Sequence, residues 1–335
     1  MRGKLAKLIS LIMAAALCFS LAGCMGDSDF SFSATDPSGS AGSPAVPYTS
    51  YVRTDYDTDK YPYFAMLTET EKNAYSLICE NLTKGNKEFE CVVSINADQL
   101  TTVIDSVLND HPELFWVDNT YGYSYEPATG DIKDITFDFF DFADTPEKLA
   151  SAKTAFNSAA DLIIAQAMTN QRAVEKELYI HDYICQNTDY DTNAPYNQSA
   201  YSVIVLHESV CAGYAKAFQY LAQRCGLTCY YVTGRTDGLG GKLVSGSNED
   251  GSHSWCMMKI DADYYNVDCL WDDTASDTYG SPIYPFFNLT DELFIYHARI
   301  NMAVSLPKCT ATEFKYSNQF GPTVEASSIT FSDAA

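Results

Sequence analysis

Three residues of this 335-residue chain carry groups that together could break an amide bond: the thiol of Cys211, the imidazole of His253 and the carboxyl of Asp268. Cys211 stands near the front of Ser209-Val-Cys-Ala-Gly-Tyr-Ala-Lys-Ala-Phe-Gln-Tyr-Leu-Ala-Gln-Arg-Cys-Gly226. Ser209 suits a helix cap, which puts Cys211 at about the second helical position. Tyr214, Ala217, Phe218, Leu221 and Ala222 make an apolar stripe, and Gly226 fits a left-handed stop. At a helix N-terminus the dipole stabilises a thiolate, and first-turn N–H groups can meet an oxyanion. On this segment alone, a small buried thiol is the commoner outcome.

The following strands supply partners for that thiol. Leu227 to Gly234 reads as a strand ended by glycine, and Arg235 to Ser252 as a polar, Gly-rich loop. His253 to Ile260 and Asp263 to Trp271 then read as a hairpin about Asp261-Ala262. A two-residue turn pairs Ile260 with Asp263 and sets Asp268 opposite Trp255. His253, two residues from Trp255, becomes a diagonal neighbour of Asp268 on the same face. A carboxylate beside an imidazole fixes its tautomer and stabilises the imidazolium, whereas a one-residue slip would send the Asp to the other face.

Val210-Cys-Ala-Gly-Tyr-Ala-Lys-Ala-Phe218, Cys225-Gly-Leu-Thr228, His253-Ser-Trp255, Tyr265-Asn-Val-Asp268 and Trp271-Asp-Asp273 resemble the core of the bacterial transglutaminase-like superfamily. The likeness extends upstream through Tyr179 to Tyr190. Asp110-His-Pro-Glu-Leu-Phe-Trp116 resembles a segment of N-terminal regions attached to this core in secreted members. The resemblance implies an α+β fold with a papain-like core, in which a helix headed by the cysteine packs on an antiparallel sheet. It also implies roles: Cys211 as nucleophile, His253 as base and Asp268 as orienting group. The chain departs from the family pattern at Cys256 and Leu270, on the flanks of the reactive positions.

Other residues invite competing roles. His207 is near Cys211 in sequence and rivals His253 as base, but has no carboxylate at a defined spacing. His253 with Cys256 and Cys269 could ligate zinc, although a clean four-ligand spacing is missing. Asp55-x-Asp-x-Asp59 and Asp189-x-Asp-x-Asn193 echo calcium loops without the glycine and terminal glutamate, and read as solvated turns. Trp255 could shield an ion pair or fill the core. Gln198 is a candidate oxyanion donor by side-chain chemistry alone, with loop capping the commoner role for such a residue. His111, His181 and His297 read as packing or surface residues.

The elements that must position these groups can be drawn from the same sequence. Arg2, Lys4 and Lys7 precede an apolar run from Leu8 to Leu21, ended by Leu-Ala-Gly-Cys24, the pattern of a bacterial lipoprotein signal with a lipid on Cys24. Residues 1–23 are thus expected to be a signal peptide and 24–50 a flexible tether, which places the protein outside the cytoplasm on the cell membrane. A small α+β N-terminal domain is expected over 61–143, a catalytic domain over 146–310 and a tail over 311–335. In the first domain, Thr68 opens one helix and Asp98 to Leu108 forms a second, stopped by Pro112. Strands are expected over Leu114–Val117, Tyr121–Glu126 and Ile132–Phe142. Thr145-Pro146 opens a long helical stretch that breaks near Thr169-Asn170 and runs to about Cys185.

The formal charge of −23 becomes −26 once residues 1–23, with three cations and no acid, are removed. Such a surface repels phosphate backbones, so nucleic acid is excluded as a partner. The nine cysteines beyond Cys18 and Cys24 are scattered without C-x-x-C pairs, and their odd number leaves at least one thiol unbridged. The expected function is cysteine-dependent acyl transfer or hydrolysis on a protein or peptide substrate, needing no metal or cofactor, with hydrolysis favoured over crosslinking. The altered flanks support an alternative: a binding or scaffolding lipoprotein without turnover.

Overall fold

The computed structural model describes residues 56–236 and 252–329. Cys24, the signal and the tether lie outside these residues. The chain divides into two compact units, with the boundary at Asp161/Leu162.

The first unit is built from α1 (Pro62–Met66), α2 (Glu69–Lys84), β1 (Glu88–Glu90), α3 (Ala97–Asp110), β2 (Val117–Tyr125) and β3 (Ile132–Phe139). Thr68 caps α2 in a reciprocal box with Glu71, and Asn96 does the same for α3 with Gln99. The sheet is antiparallel, in the order β1-β3-β2. Alternation along β3 buries Ile132, Ile135, Phe137 and Phe139, and the core adds Ile78 and Leu82 of α2 and Val103, Ile104 and Val107 of α3. Two expected strands are corrected. Leu114 to Trp116 form a turn, Val117 instead opens β2, and the Ile132 strand stops at Phe139, before a short 3-10 turn over Asp141–Ala143.

α4 (Pro146–Ala167) starts as expected: the Lys148 N–H donates to Thr145 Oγ1 at 3.3 Å, with Pro146 in the first turn. After the break at Thr169-Asn170 comes α5 (Ala173–Asn187). The short strands β4 (Asp189–Tyr190) and β5 (Glu208–Ser209) then pair in parallel. α6 (Cys211–Arg224) leads into β6 (Thr228–Thr236), β7 (Ser252–Ile260) and β8 (Asp263–Val267). α7 (Cys269–Tyr279), β9 (His297–Arg299) and α8 (Tyr316–Gln319) are the last α-helices and strand among the described residues. The sheet runs β8-β7-β6-β9 with every pair antiparallel, and α6 packs against it. This is the α+β arrangement expected, with a cysteine-headed helix on an antiparallel sheet.

Residues 311–329 pack on this second unit rather than trailing from it. Tyr316 stacks on Tyr284 with ring centroids 3.8 Å apart, Phe314 meets Tyr265 edge-on, and Ala326 and Ile329 are buried. No disulfide joins the nine described cysteines.

Candidate active site

The β7–β8 register is the one the two-residue turn requires. Ile260 pairs with Asp263 and Cys256 with Val267, and Asp261 takes the positive φ (55°) that the turn needs. Asp268 follows one step beyond the end of β8. It is not a strand residue as the sequence suggested, since it caps α7: its Oδ1 accepts the Trp271 N–H at 3.1 Å. From there its Oδ2 lies 2.6 Å from His253 Nε2. The diagonal pair read from the alternation is therefore a short, buried, charge-assisted hydrogen bond.

Asp268 has another donor that the sequence did not reveal. His297, at the start of β9, places its Nε2 2.9 Å from the same Oδ2. Burial would raise the Asp268 carboxyl, but the His253 charge and the hydrogen bonds from both histidines outweigh burial and hold it well below the usual carboxylate range. His297 sits in an aromatic cage. Phe294 stacks on it at 3.8 Å between centroids, with Trp271 at 4.5 Å and Trp255 at 5.0 Å. Burial dominates its titration and pushes it down to about 4 despite the opposing pull of Asp268. At neutral pH His297 is therefore an uncharged Nε2–H donor, and its buried Nδ1 has no hydrogen-bond partner among the described residues. The expectation that His297 merely packs is thus corrected. Only the pairing of β9 with β6 (Gly234 with Arg299, Thr236 with His297) brings it here, and no local spacing signals that.

Trp255 is 2 % exposed, and its indole N–H donates to Asn266 Oδ1 at 3.2 Å. Its ring stacks beside His253 at 6.2 Å. It also explains Gly234, which lies inside β6 rather than ending it. A Cβ there would fall 2.1 Å from the indole and 2.6 Å from the Ala298 carbonyl oxygen.

Cys211 is the first residue of α6, 4 % exposed. Its helix is fixed to the sheet at two points. Cys256 Sγ donates to the Ala215 carbonyl at 3.1 Å, and Gln223 Nε2 donates to the Cys229 carbonyl at 3.0 Å, where Cys229 pairs with Met258. α6 therefore runs in the same sense as β7. One turn back from Ala215, about 6 Å, carries Cys211 toward the end of β7 where His253 stands. Tyr214 adds a tie to α7: its hydroxyl lies 2.9 Å from both Asp273 Oδ2 and the Thr188 carbonyl. The Tyr214 hydroxyl donates to one of these oxygens at a time, and burial lifts Asp273 to about 8.

Ser209 does not cap α6. The N-cap is Val210, with no side-chain cap, and Ser209 Oγ instead lies 2.7 Å from the Asn197 carbonyl and from Ser202 Oγ. This explains the glycine of Cys211-Ala-Gly213. A Cβ at 213 would meet Ser209 Oγ at 2.0 Å and the Asn197 carbonyl at 2.7 Å. Gly213→Ala is expected to cost about 2–3 kcal/mol, as overpacking against backbone does, and to slow alkylation of Cys211. A melting temperature within 2 °C of the parent would contradict this close approach.

Gln198 lies half-buried in the turn between β4 and the helical residues from Ala200. His207 is exposed, in the left-handed region (φ 63°), with its carbonyl taking the Asp189 N–H. The zinc set of His253, Cys256 and Cys269 is not assembled. Cys256 points to α6, and the described cluster of metal-capable groups at this site is instead His253, Asp268 and His297. His181, expected to pack, is buried and lies 3.1 Å through Nε2 from Asp272 Oδ2, which joins α5 to α7.

Residues 158–269 match the model of the transglutaminase-like superfamily, a segment that contains Cys211, His253 and Asp268. Two curated relatives are kyphoscoliosis peptidases. The mouse protein is 19% identical over 175 residues, 51% of this chain and 26% of the relative; the human protein is 21% identical over 173 residues, 50% and 26%. The chain thus spans about a quarter of the length of these relatives. Among solved structures, the crystal structure of a TGase aligns with 54% of this chain and 50% of its own, at 11% identity and a TM-score of 0.31. Residues 158–269 of this chain thus form a transglutaminase-like domain.

Proposed function

We propose that this protein is a cysteine hydrolase of protein or peptide amide bonds, held outside the cytoplasm by a lipid on Cys24. The domain is of a family of cysteine-dependent peptidases and acyltransferases. The single observation that carries the reading is the buried 2.6 Å bond between His253 Nε2 and Asp268 Oδ2. It commits Nε2 to the carboxylate and leaves Nδ1 as the lone-pair nitrogen for the Cys211 proton.

In this reading the Cys211 thiolate attacks the amide carbonyl, and the S–C bond forms as charge collects on the oxygen. The positive end of α6, which no side chain caps, faces that charge. His253 gives its proton to the leaving amine, and an acyl-enzyme remains. Water, activated by the same imidazole, then releases the acid. Trp255 keeps bulk water from the ion pair, while Gln198 is a candidate second donor to the oxyanion. Water is preferred over an amine as acceptor because it is the most abundant nucleophile available to the acyl-enzyme.

A peptide library incubated with the full chain, with and without a primary amine, tests the reading by mass spectrometry. New carboxyl termini or deamidated glutamines absent with Cys211→Ala support it. Amine adducts would turn it toward crosslinking. No product, together with equal alkylation of all nine thiols, would favour a binding lipoprotein. His297 acts in this scheme as a positioning residue through Asp268. His297→Phe is expected to slow Cys211 alkylation about tenfold and to alter its pH profile, with His297→Gln, which retains a donor, recovering part of the loss. Identical profiles for parent and Phe variant would remove that role.

A further inference from the structure

The N-terminal unit holds its own grouping of sulfur, imidazole and carboxylate, unrelated to the chemistry proposed above. Cys79 lies on the buried face of α2. His111 is the C-cap of α3, where Pro112 forbids another turn and the chain swings Glu113 back. His111 Nε2 lies 3.4 Å from Cys79 Sγ, and its Nδ1 lies 2.7 Å from Glu113 Oε1. A carboxylate that accepts a hydrogen bond from Nδ1–H aims Nε2 at the sulfur, the nitrogen order of a serine-protease triad. A hydrogen bond from the Tyr56 side chain also reaches the sulfur.

No local spacing links Cys79 to His111, because they are 32 positions apart on different helices. Cys91, in the same unit, serves as an internal comparison. Both thiols are 6 % exposed. Cys91 Sγ donates to the Val93 carbonyl at 3.4 Å, and burial pushes its thiol up. At Cys79 burial pushes the same way, but the His111 charge and the bonds from His111 and Tyr56 prevail, and the thiol is lowered. The partners agree: His111 is raised well above its usual value and Glu113 is lowered.

We propose that Cys79, His111 and Glu113 form a peroxide-reactive thiolate centre, an oxidative modification site distinct from Cys211. The covering rings select the reagent. Tyr61 stacks on His111 at 4.8 Å between centroids, and Tyr56 packs over Tyr75 at 5.3 Å and Phe64 at 4.7 Å. A sulfur 6 % exposed beneath these rings favours a reagent as small as peroxide over a peptide carbonyl flanked by its chain. The Cys79 thiolate attacks one oxygen of hydrogen peroxide, so that an S–O bond forms as the O–O bond breaks. The departing hydroxide takes the Nε2 proton of His111 and leaves as water. Sulfur is oxidised to the sulfenic acid, peroxide is reduced, and His111 ends neutral.

The test uses the full chain carrying Cys211→Ala, so that the other proposed nucleophile cannot compete. Stoichiometric hydrogen peroxide at pH 7, trapping with dimedone and peptide mapping read the result. Cys79 is expected to carry at least tenfold more trap than Cys91, and trapping at pH 6 to stay above half of that at pH 8. Tyr56, Tyr75, Asp110, Glu113 and Lys60 are the other titrating groups near His111, and burial places Asp110 at about 7, inside this window. His111→Phe preserves a ring against Tyr61 without nitrogens and is expected to lower trapping about tenfold. Glu113→Gln alters a side chain 46% exposed, so the fold should survive while trapping falls by a smaller factor. Equal trapping at Cys79 and Cys91 overturns the proposal. If His111→Phe does not fold, an unchanged rate in Glu113→Gln overturns it equally.

Discussion

Asp268→Asn is expected to lower amide turnover by at least about 10³-fold, with circular dichroism unchanged. The native carboxylate receives three donors: His253 and His297 on Oδ2, and the Trp271 N–H on Oδ1. An amide of the same shape cannot serve all three. If its NH2 group turns to the histidines, their Nε2 must shed protons, and His253 then carries its proton on Nδ1, the nitrogen that the proposed mechanism needs free for the Cys211 proton. If the NH2 group turns to Trp271, α7 loses its cap at a cost of about 1 kcal/mol. His253 then keeps its tautomer but loses the buried charge that would stabilise its cation. Both orientations weaken the base, the second without disturbing the tautomer. Single-turnover rates on a peptide found by the library screen would decide the matter, and a folded variant within tenfold of the parent would remove Asp268 from the mechanism.

The second large effect concerns stability against pH. Burial raises five carboxyls above their ordinary values: Asp105, Asp110 and Asp272 to about 7, and Glu177 and Asp273 to about 8. A carboxyl whose folded value exceeds its unfolded one gives stability that is fully present below the unfolded value, near 4. That contribution is lost as pH rises through the folded value, near 7 to 8. His297 acts in the opposite sense. Its folded value of about 4 is depressed, so its contribution is present above about 6.5 and lost as pH falls toward 4. The lowered thiols of Cys79 and Cys185 act in the sense of His297, while their raised partners His111 and His181 act with the carboxyls, so the five carboxyls decide the sign; each net proton is worth about 1.4 kcal/mol per pH unit. The melting temperature is therefore expected to rise as pH is lowered from 8 to 5, and relief of the −23 charge acts in the same direction. Glu177, fully buried with its Oε2 taking the Asn288 side-chain N–H at 2.9 Å, offers the cleanest check. Glu177→Gln should flatten the curve by close to one proton. A melting temperature that is level or falls over this range would show that these carboxyls ionise inside the fold.

The sequence by itself determined much of the frame. Local rules were enough wherever one element specified its own geometry, as in the capping box at Thr68, the cap at Thr145 and the stop at Pro112. The two-residue turn at Asp261-Ala262 belongs with them, and through the strict alternation of β7 and β8 it also decided the His253–Asp268 pair. The lone thiol at the head of a helix was legible for the same reason. Local rules failed at α6 itself, where Ser209 had the chemistry of a cap. The Asn197 and Ser202 segment, distant in sequence, had a stronger claim on its hydroxyl.

Only the tertiary structure decided the rest. His297 is 29 residues from Asp268 and enters through a strand pairing that carries no sequence signal. His111 and Cys79 meet because two helices pack side by side, and Gly234 exists to let an indole cross a neighbouring strand. Each of these depends on which surfaces are buried against one another. Periodicity states that a face is apolar, but the partner of that face is chosen by packing across the whole fold, and the polar groups caught there must find their hydrogen bonds where packing leaves them.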